Sequence, residues 1–190
     1  MLTSLFKNLR REPALPDGPL RLHIGGQQAH SDWKIFDLLP GPHVDFVGNC
    51  TDLSQFAEGS VTEIYASHVL EHLGYRQELP LALAEFHRVL EPGGSLRVSV
   101  PDLATLCALF GDPALTAEER VHVMRMMFGG QIDAGDFHKV GLTEAFLADF
   151  LAAAGFVGIT RSDSSGPFED SSKIVFRDRR ISLNLSARKP

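Results

Sequence analysis

Cysteine is scarce in this chain: Cys50 and Cys107 are the only two among 190 residues. Two thiols so far apart in sequence build neither a disulfide framework nor a cysteine-based zinc site, and a reducing cytoplasm is the expected setting. Long apolar runs are missing as well. None approaches the ~20 residues of a membrane span, and residues 1–7 lack the continuous apolar core of a signal peptide. Positive charge is the minority sign, with 18 Lys and Arg against 24 Asp and Glu and a formal net charge of -6. That balance argues against a nucleic-acid backbone as the main partner, because such binding is driven by clustered basic side chains. The small cluster Arg177, Arg179 and Arg180 is interrupted by Asp178 and reads as a solvated loop. What remains is an ordinary globular composition, 44% hydrophobic and 22% charged, sufficient for the core of one domain. Residues 1–18, which end in Pro13, Pro16, Asp17 and Gly18, read as an N-terminal arm ahead of a domain over 19–190.

Periodicity orders that domain. Alternation in L-R-L-H-I-G predicts a first strand over 20–25, stopped by Gly25-Gly26. Further strands are expected over 33–38, 44–48 and 61–67, the last rich in β-branched and aromatic residues. Leu79, Leu83, Phe86 and Leu90 recur at helical spacing and predict a helix over 77–91, ended by Gly93-Gly94 and followed by a strand over 95–100. Pro101-Asp102 marks a turn and helix start, with Asp102 as a candidate cap. Helices are expected over 116–128, where Thr116 and Glu119 have capping-box spacing, and over 143–154, with Phe146, Phe150 and Leu151 on one side. Two closing strands fall at 156–161 and 181–188. Strands interleaved with helices indicate an α/β fold: a Rossmann-like, seven-stranded, mostly parallel sheet with helices on its faces. One departure is visible. About seven residues separate the first strand from Trp33, fewer than the ~10–12 that a helical crossover needs, so the first crossover helix is expected to be missing.

His68-Val69-Leu70-Glu71-His72 spells H-x-x-E-H, the pattern of inverted zinc metallopeptidases. That chemistry needs a helix presenting both histidines on one face and a third ligand downstream. Here the segment follows directly on a strand and meets Gly74, so the spacing is read as coincidence and no metal is assigned.

The run SVTEIYASHVLEHL followed by LALAEFHRVLEPGGSLRVSVPDL carries a more specific likeness. With it, residues 20–188 resemble the class I S-adenosylmethionine-dependent methyltransferases, in particular a compact branch of predicted methyltransferases. The resemblance implies S-adenosylmethionine as cofactor and a cofactor site built residue by residue. Gly25, with Gly26 beside it, matches the glycine loop after the first strand. Asp37 matches the acidic residue that accepts from the ribose hydroxyls, a task suited to a carboxylate because it only accepts. Asn49 matches the position that meets the adenine amino group through an amide oxygen. Ser67 and His68 match the loop facing the methionine part and the substrate. Gln27 stands where the family has a further glycine. The acceptor implied is a small molecule or cell-surface precursor. The rival readings are a non-catalytic partner protein that kept the fold without the cofactor, and a histidine-based metal hydrolase.

A hydroxyl acceptor would need a base, and His72 and His138 are the candidates because imidazole titrates near neutrality. His138 lies in the glycine-rich stretch GGQIDAGDFHKVGLT, between two expected helices. Met124, Met126, Met127 and Phe128 are read as core or as the contact of a homodimer. His23 is expected to have a structural partner and Arg88 to tie down a neighbouring loop.

Overall fold

Alternating strand sequences give a sheet two unlike faces, and the chain builds on that difference. The computed structural model describes residues 18–163 and 166–190. The strands are β1 (Leu20–Ile24), β2 (Lys34–Asp37), β3 (Phe46–Val47), β4 (Val61–Ser67), β5 (Leu90–Pro101), β6 (Val157–Arg161), β7 (Val175–Phe176), β8 (Arg179–Arg180) and β9 (Ser182–Arg188). Seven of them form one sheet in the order β3-β2-β1-β4-β5-β9-β6, while β7 and β8 make a separate ribbon. All neighbours are parallel except β9, which runs antiparallel to β5 and β6. The expected mostly parallel α/β sheet is therefore present. So is the expected gap: no helix lies between β1 and β2, nor between β2 and β3. The basic cluster is a ribbon rather than a loop, turning at Arg177 and Asp178 with φ of 48 and 61. The arm assigned to residues 1–18 lies, apart from Gly18, outside the described residues.

On one face, α1 (Glu78–Val89) and α4 (Glu144–Ala153) cover an apolar layer. Leu79, Leu83, Phe86, Leu147 and Leu151 share a core with Leu22, Ile24, Ile64, Val98, Leu183 and Leu185. The opposite face is polar and aromatic. His23, Tyr65, Ser99 and Asn184 are buried there under the segment 166–173, a strap whose one helical element is the 3₁₀ turn Ser171–Lys173. Phe168 stacks on Tyr65 at 5.5 Å and meets Trp33 at 5.6 Å. Tyr65 Oη donates to Asp170 Oδ2 at 2.7 Å, and Ser182 Oγ donates to the Ser171 carbonyl at 2.9 Å. The strap occupies a face that parallel sheets usually give to crossover helices.

Two helix details differ from expectation. α1 stops at Val89, ahead of Gly93-Gly94, because Pro92 cannot continue a helix and pushes Glu91 into extended backbone. The glycines instead shape the entry to β5, where Gly93 has φ +81 and its amide bonds to Lys189 O at 3.0 Å. In α4 the buried pair is Leu147 and Leu151, one turn apart, and Phe146 is 55% exposed. The other local signals act as expected. Thr116 and Glu119 close a capping box on α3 (Ala117–Phe128), and Asp102 caps α2 (Leu103–Phe110) by accepting from the Ala104 and Thr105 amides. Met126 and Met127 pack on the α2–α3 core, while Met124 and Phe128 are exposed. No described helix is long and apolar enough to cross a membrane.

Arg88 holds the loop that follows β3. Its guanidinium donates to the Phe56 carbonyl at 3.0 Å, the Leu53 carbonyl at 2.9 Å and Glu85 at 2.7 Å. Glu85 Oε2 in turn accepts from the Leu53 amide at 2.8 Å. Arg88→Met keeps the apolar stem and removes these charge-assisted bonds, so a loss of about 1.5 kcal/mol, roughly 4 °C in Tm, is expected by thermal unfolding. An unchanged Tm would show that the clamp is energetically idle.

Candidate functional site

Each parallel strand ends at the same edge of the sheet, and ligands of open α/β sheets sit there. A cavity of about 550 Å³ opens at this edge, lined among others by Gly25, Phe36, Asp37, Asn49, His68 and His72. Its size falls in the range of small-molecule sites. Gly25 turns the chain out of β1 with φ +72, and a Cβ there would run into the Val69 side chain. Both the backbone conformation and the space therefore require glycine. Gly26 is close-packed for a different reason, since a Cβ there would strike the His23 ring. Gln27 is exposed and lines the cavity, standing at its rim.

Asp37 ends β2 at this cavity. Its Oδ1 accepts from the Leu39 amide at 2.8 Å, which fixes the carboxylate and leaves Oδ2 as the acceptor on offer. Asn49 also lines the cavity, but its amide oxygen already accepts from the Thr51 amide at 3.0 Å and the Thr51 hydroxyl at 2.9 Å. The acceptor role expected for that oxygen is thus taken by a local turn. The Nδ2 donors are what the side chain has left.

His68 follows β4 with φ 54, a left-handed conformation uncommon for a side-chain-bearing residue. The turn directs its Nε2 to Ser182 Oγ at 2.9 Å, while Nδ1 lies 3.3 Å from Glu71 Oε1. Ser67 is buried and its hydroxyl has no partner among the described residues. It opens with His68 onto a second cavity of about 350 Å³, between the glycine loop and the strap, where Gly26, Glu169 and Asp170 also line the wall. Gly25, Gln27 and His68 border both cavities. The structure therefore groups Gly25, Asp37, Asn49, His68 and His72 around one space, with Gly26 and Ser67 on the adjoining one.

Leu70–His72 is a single 3₁₀ turn, so the long metallopeptidase helix is absent from this segment. The loop after α3 reaches back to it. The Lys139 and Val140 amides bond to the Glu71 carbonyl at 2.8 and 3.3 Å, and His138 comes to rest edge-on against His72, ring centroids 4.8 Å apart. Burial lowers the His138 pKa from its ordinary value, helped by the neighbouring His72 and His68; Glu71 and a hydrogen bond to the Met127 backbone oppose the shift. His23 is buried more deeply, packed 4.0 Å from Phe168 and 4.9 Å from Tyr65, with no hydrogen bond to Nδ1 among the described residues. Its structural partners are rings. Burial pushes its pKa down to about 4, against the attraction of Asp170 and with the repulsion of His30.

Sequence reasoning missed Glu71 as a buried carboxylate, Lys139 at the cavity wall, and the strap residues Glu169 to Ser171. The strap had no periodic signal to betray it. Glu71 was visible in H-x-x-E-H, but its burial depends on a loop more than sixty residues away.

No curated protein matches this sequence. Residues 28–98 match the family model of a methyltransferase domain. Among solved structures, an S-adenosylmethionine dependent methyltransferase from Mesorhizobium loti aligns with TM-score 0.57 at 17% identity, covering 92% of this chain and 94% of that one. A 1,6-didemethyltoxoflavin-N1-methyltransferase from Burkholderia thailandensis, solved with bound 1,6-didemethyltoxoflavin and S-adenosylhomocysteine, aligns with TM-score 0.51 at 19% identity, over 90% of this chain and 71% of that one. The CurJ carbon methyltransferase gives TM-score 0.52 at 14% identity over 93% of this chain, which spans only 50% of that protein. The signature of a methyltransferase domain and the fold of the class I methyltransferases are thus both present in this chain.

Proposed function

We propose that the protein is an S-adenosylmethionine-dependent methyltransferase acting on a small-molecule or cell-surface-precursor acceptor. The observation that carries this reading is the cavity of about 550 Å³ that brings Gly25, Asp37, Asn49 and His68 to one space at the strand ends. The residues present fit the cofactor. Gly25 lets the backbone approach it, and Asp37 Oδ2 is free to accept from ribose hydroxyls. The Nδ2 donors of Asn49 suit an adenine ring nitrogen better than its amino group. Ser67 and His68 border the methionine end.

The cofactor supplies an electrophilic methyl group on a sulfonium, transferred by in-line displacement. The chain's own contribution is then mainly positioning. Gly25 and His68, which border both cavities, set the point where donor and acceptor meet, and the His72–His138 corner lies beside it as the place where an acceptor proton can be handled. A reducing cytoplasm agrees with the two free cysteines.

Calorimetric titration with S-adenosylhomocysteine tests the reading. Saturable micromolar binding is expected. At a hundredfold excess over Kd it adds about 2.7 kcal/mol, raising Tm by roughly 5 to 10 °C. The absence of both heat and thermal shift would instead favour a non-catalytic protein on the same fold, in keeping with a β1 that no helix follows and so no helix N-terminus at the cofactor's carboxylate.

A further inference from the structure

Three side chains, Glu71, His72 and His138, meet beside the larger cavity, which His72 lines, with more ligand capacity than the protein uses. Glu71 is 2% exposed, and neither carboxylate oxygen accepts a hydrogen bond among the described residues; His68 Nδ1 is 3.3 Å from Oε1 but lacks the alignment of one. His138 Nδ1 is buried and likewise has no hydrogen-bond partner among the described residues. Leaving a carboxylate in that condition is costly, because it has lost water without gaining donors. The third member, His72, lines the cavity.

We propose that Glu71, His72 and His138 form a binding site for a divalent first-row transition cation. One ligand atom from each lies within 4.8 Å of the others. With metal–ligand bonds of about 2.1 Å, atoms on one cation are at most about 4.2 Å apart, so a small side-chain rotation closes the set. The His72 imidazole is already braced by backbone. The Phe137 carbonyl lies 3.2 Å from His72 Nδ1, which must therefore donate and leaves Nε2 as the free lone pair. His138 Nδ1, buried and without a hydrogen-bond partner among the described residues, is the atom it has on offer. Backbone-anchored histidines are the usual outer support of metal sites. Two nitrogens and one carboxylate suit Mn²⁺, Fe²⁺ or Zn²⁺ better than Mg²⁺ or Ca²⁺.

Three protein ligands leave coordination positions open, and His72 places them on the cavity side. An oxygen acceptor, such as a hydroxyl, can take one of these positions, where its lowered pKa lets it give up its proton to solvent water. With a cation in place His72 is a ligand, and activation passes from imidazole to metal. This role in activation rests on the proposed methyltransferase reading, whereas the cation site itself does not.

The test is calorimetric titration of the tag-free, chelator-stripped full chain with Zn²⁺ and, separately, Mn²⁺. One equivalent per chain is expected with at least one of the two. Binding should weaken at least tenfold in His138→Ala and in Glu71→Gln, and remain as in the wild type in His43→Ala, an exposed histidine outside the cluster. Circular dichroism checks the fold of each variant. Should the buried Glu71→Gln fail to fold, His72→Ala takes its place. Uptake of neither cation, or uptake that survives the substitutions and so marks an adventitious surface site, overturns the proposal. S-adenosylhomocysteine titrated into the same samples separates the two readings: its binding without metal uptake removes the cation site alone, and metal uptake without it removes the cofactor alone.

Discussion

Between pH 7.5 and pH 4.5 the protein is expected to lose roughly 2 to 3 kcal/mol of stability through His23 alone. The folded state holds this imidazole at a pKa of about 4, against 6.5 for the ordinary group. As pH falls below 6.5 the unfolded chain takes up a proton that the folded chain refuses, so unfolding is progressively favoured. The loss begins near pH 6.5, grows down to about pH 4 and then levels off. Its cause is burial among Phe168, Tyr65 and Trp33, where a cation has no water and only Asp170 to attract it. Other groups also titrate in this range, so the measurement is a difference. His23→Phe keeps a ring in place and does not titrate. Urea unfolding of wild type and variant at both pH values should show the wild type falling further by roughly 2 to 3 kcal/mol. Parallel losses would mean that His23 is protonated in the folded state at no cost, which its packing does not allow.

Asp37→Ala is expected to weaken S-adenosylhomocysteine binding by about 1.5 to 3 kcal/mol, or roughly tenfold to 150-fold, the scale of hydrogen bonds to a charged group. The carboxylate ends β2 at the cavity and is held in place by the Leu39 amide at 2.8 Å, so on the proposed reading its remaining oxygen would meet the ribose without reorganising. Removing the side chain also removes that local turn. Asp37→Asn separates the two effects, because an amide oxygen can still accept from Leu39 but brings no charge to the ribose. It should unfold like the wild type and still lose most of the affinity. Wild-type affinity in both variants would take Asp37 out of the site.

The parts of the fold that could be read from sequence are those whose cause is local. A connection too short for a helix declared the missing crossover, and Thr116 with Glu119 and Asp102 declared helix starts through side chains that bond their own backbone. The buried side of α4 was misread because Phe146 and Leu147 are adjacent and equally apolar; only the sheet beneath decides which one turns inward. The strap was illegible, since Phe168 finds Tyr65 and Trp33 across more than a hundred residues with no periodic pattern of its own. The cofactor positions came from resemblance rather than from residue chemistry, and there the atoms corrected one detail: the Asn49 oxygen is already taken by Thr51. Of the H-x-x-E-H pattern, Glu71 and His72 meet His138, a partner that only the folded loop supplies.

The unlike faces of the sheet have one more consequence. In β5 and β9, Val98 lies opposite Leu185 and Ser99 opposite Asn184, so apolar faces apolar and polar faces polar. A slip of one residue would send Arg97 beneath the helices and Val98 beneath the strap, an error on both sides at once. The alternation works as a parity check on strand pairing, repeated where Leu22 meets Ile64 and His23 meets Tyr65. Register is thereby written into the strands themselves, and the connections between them are relieved of specifying it.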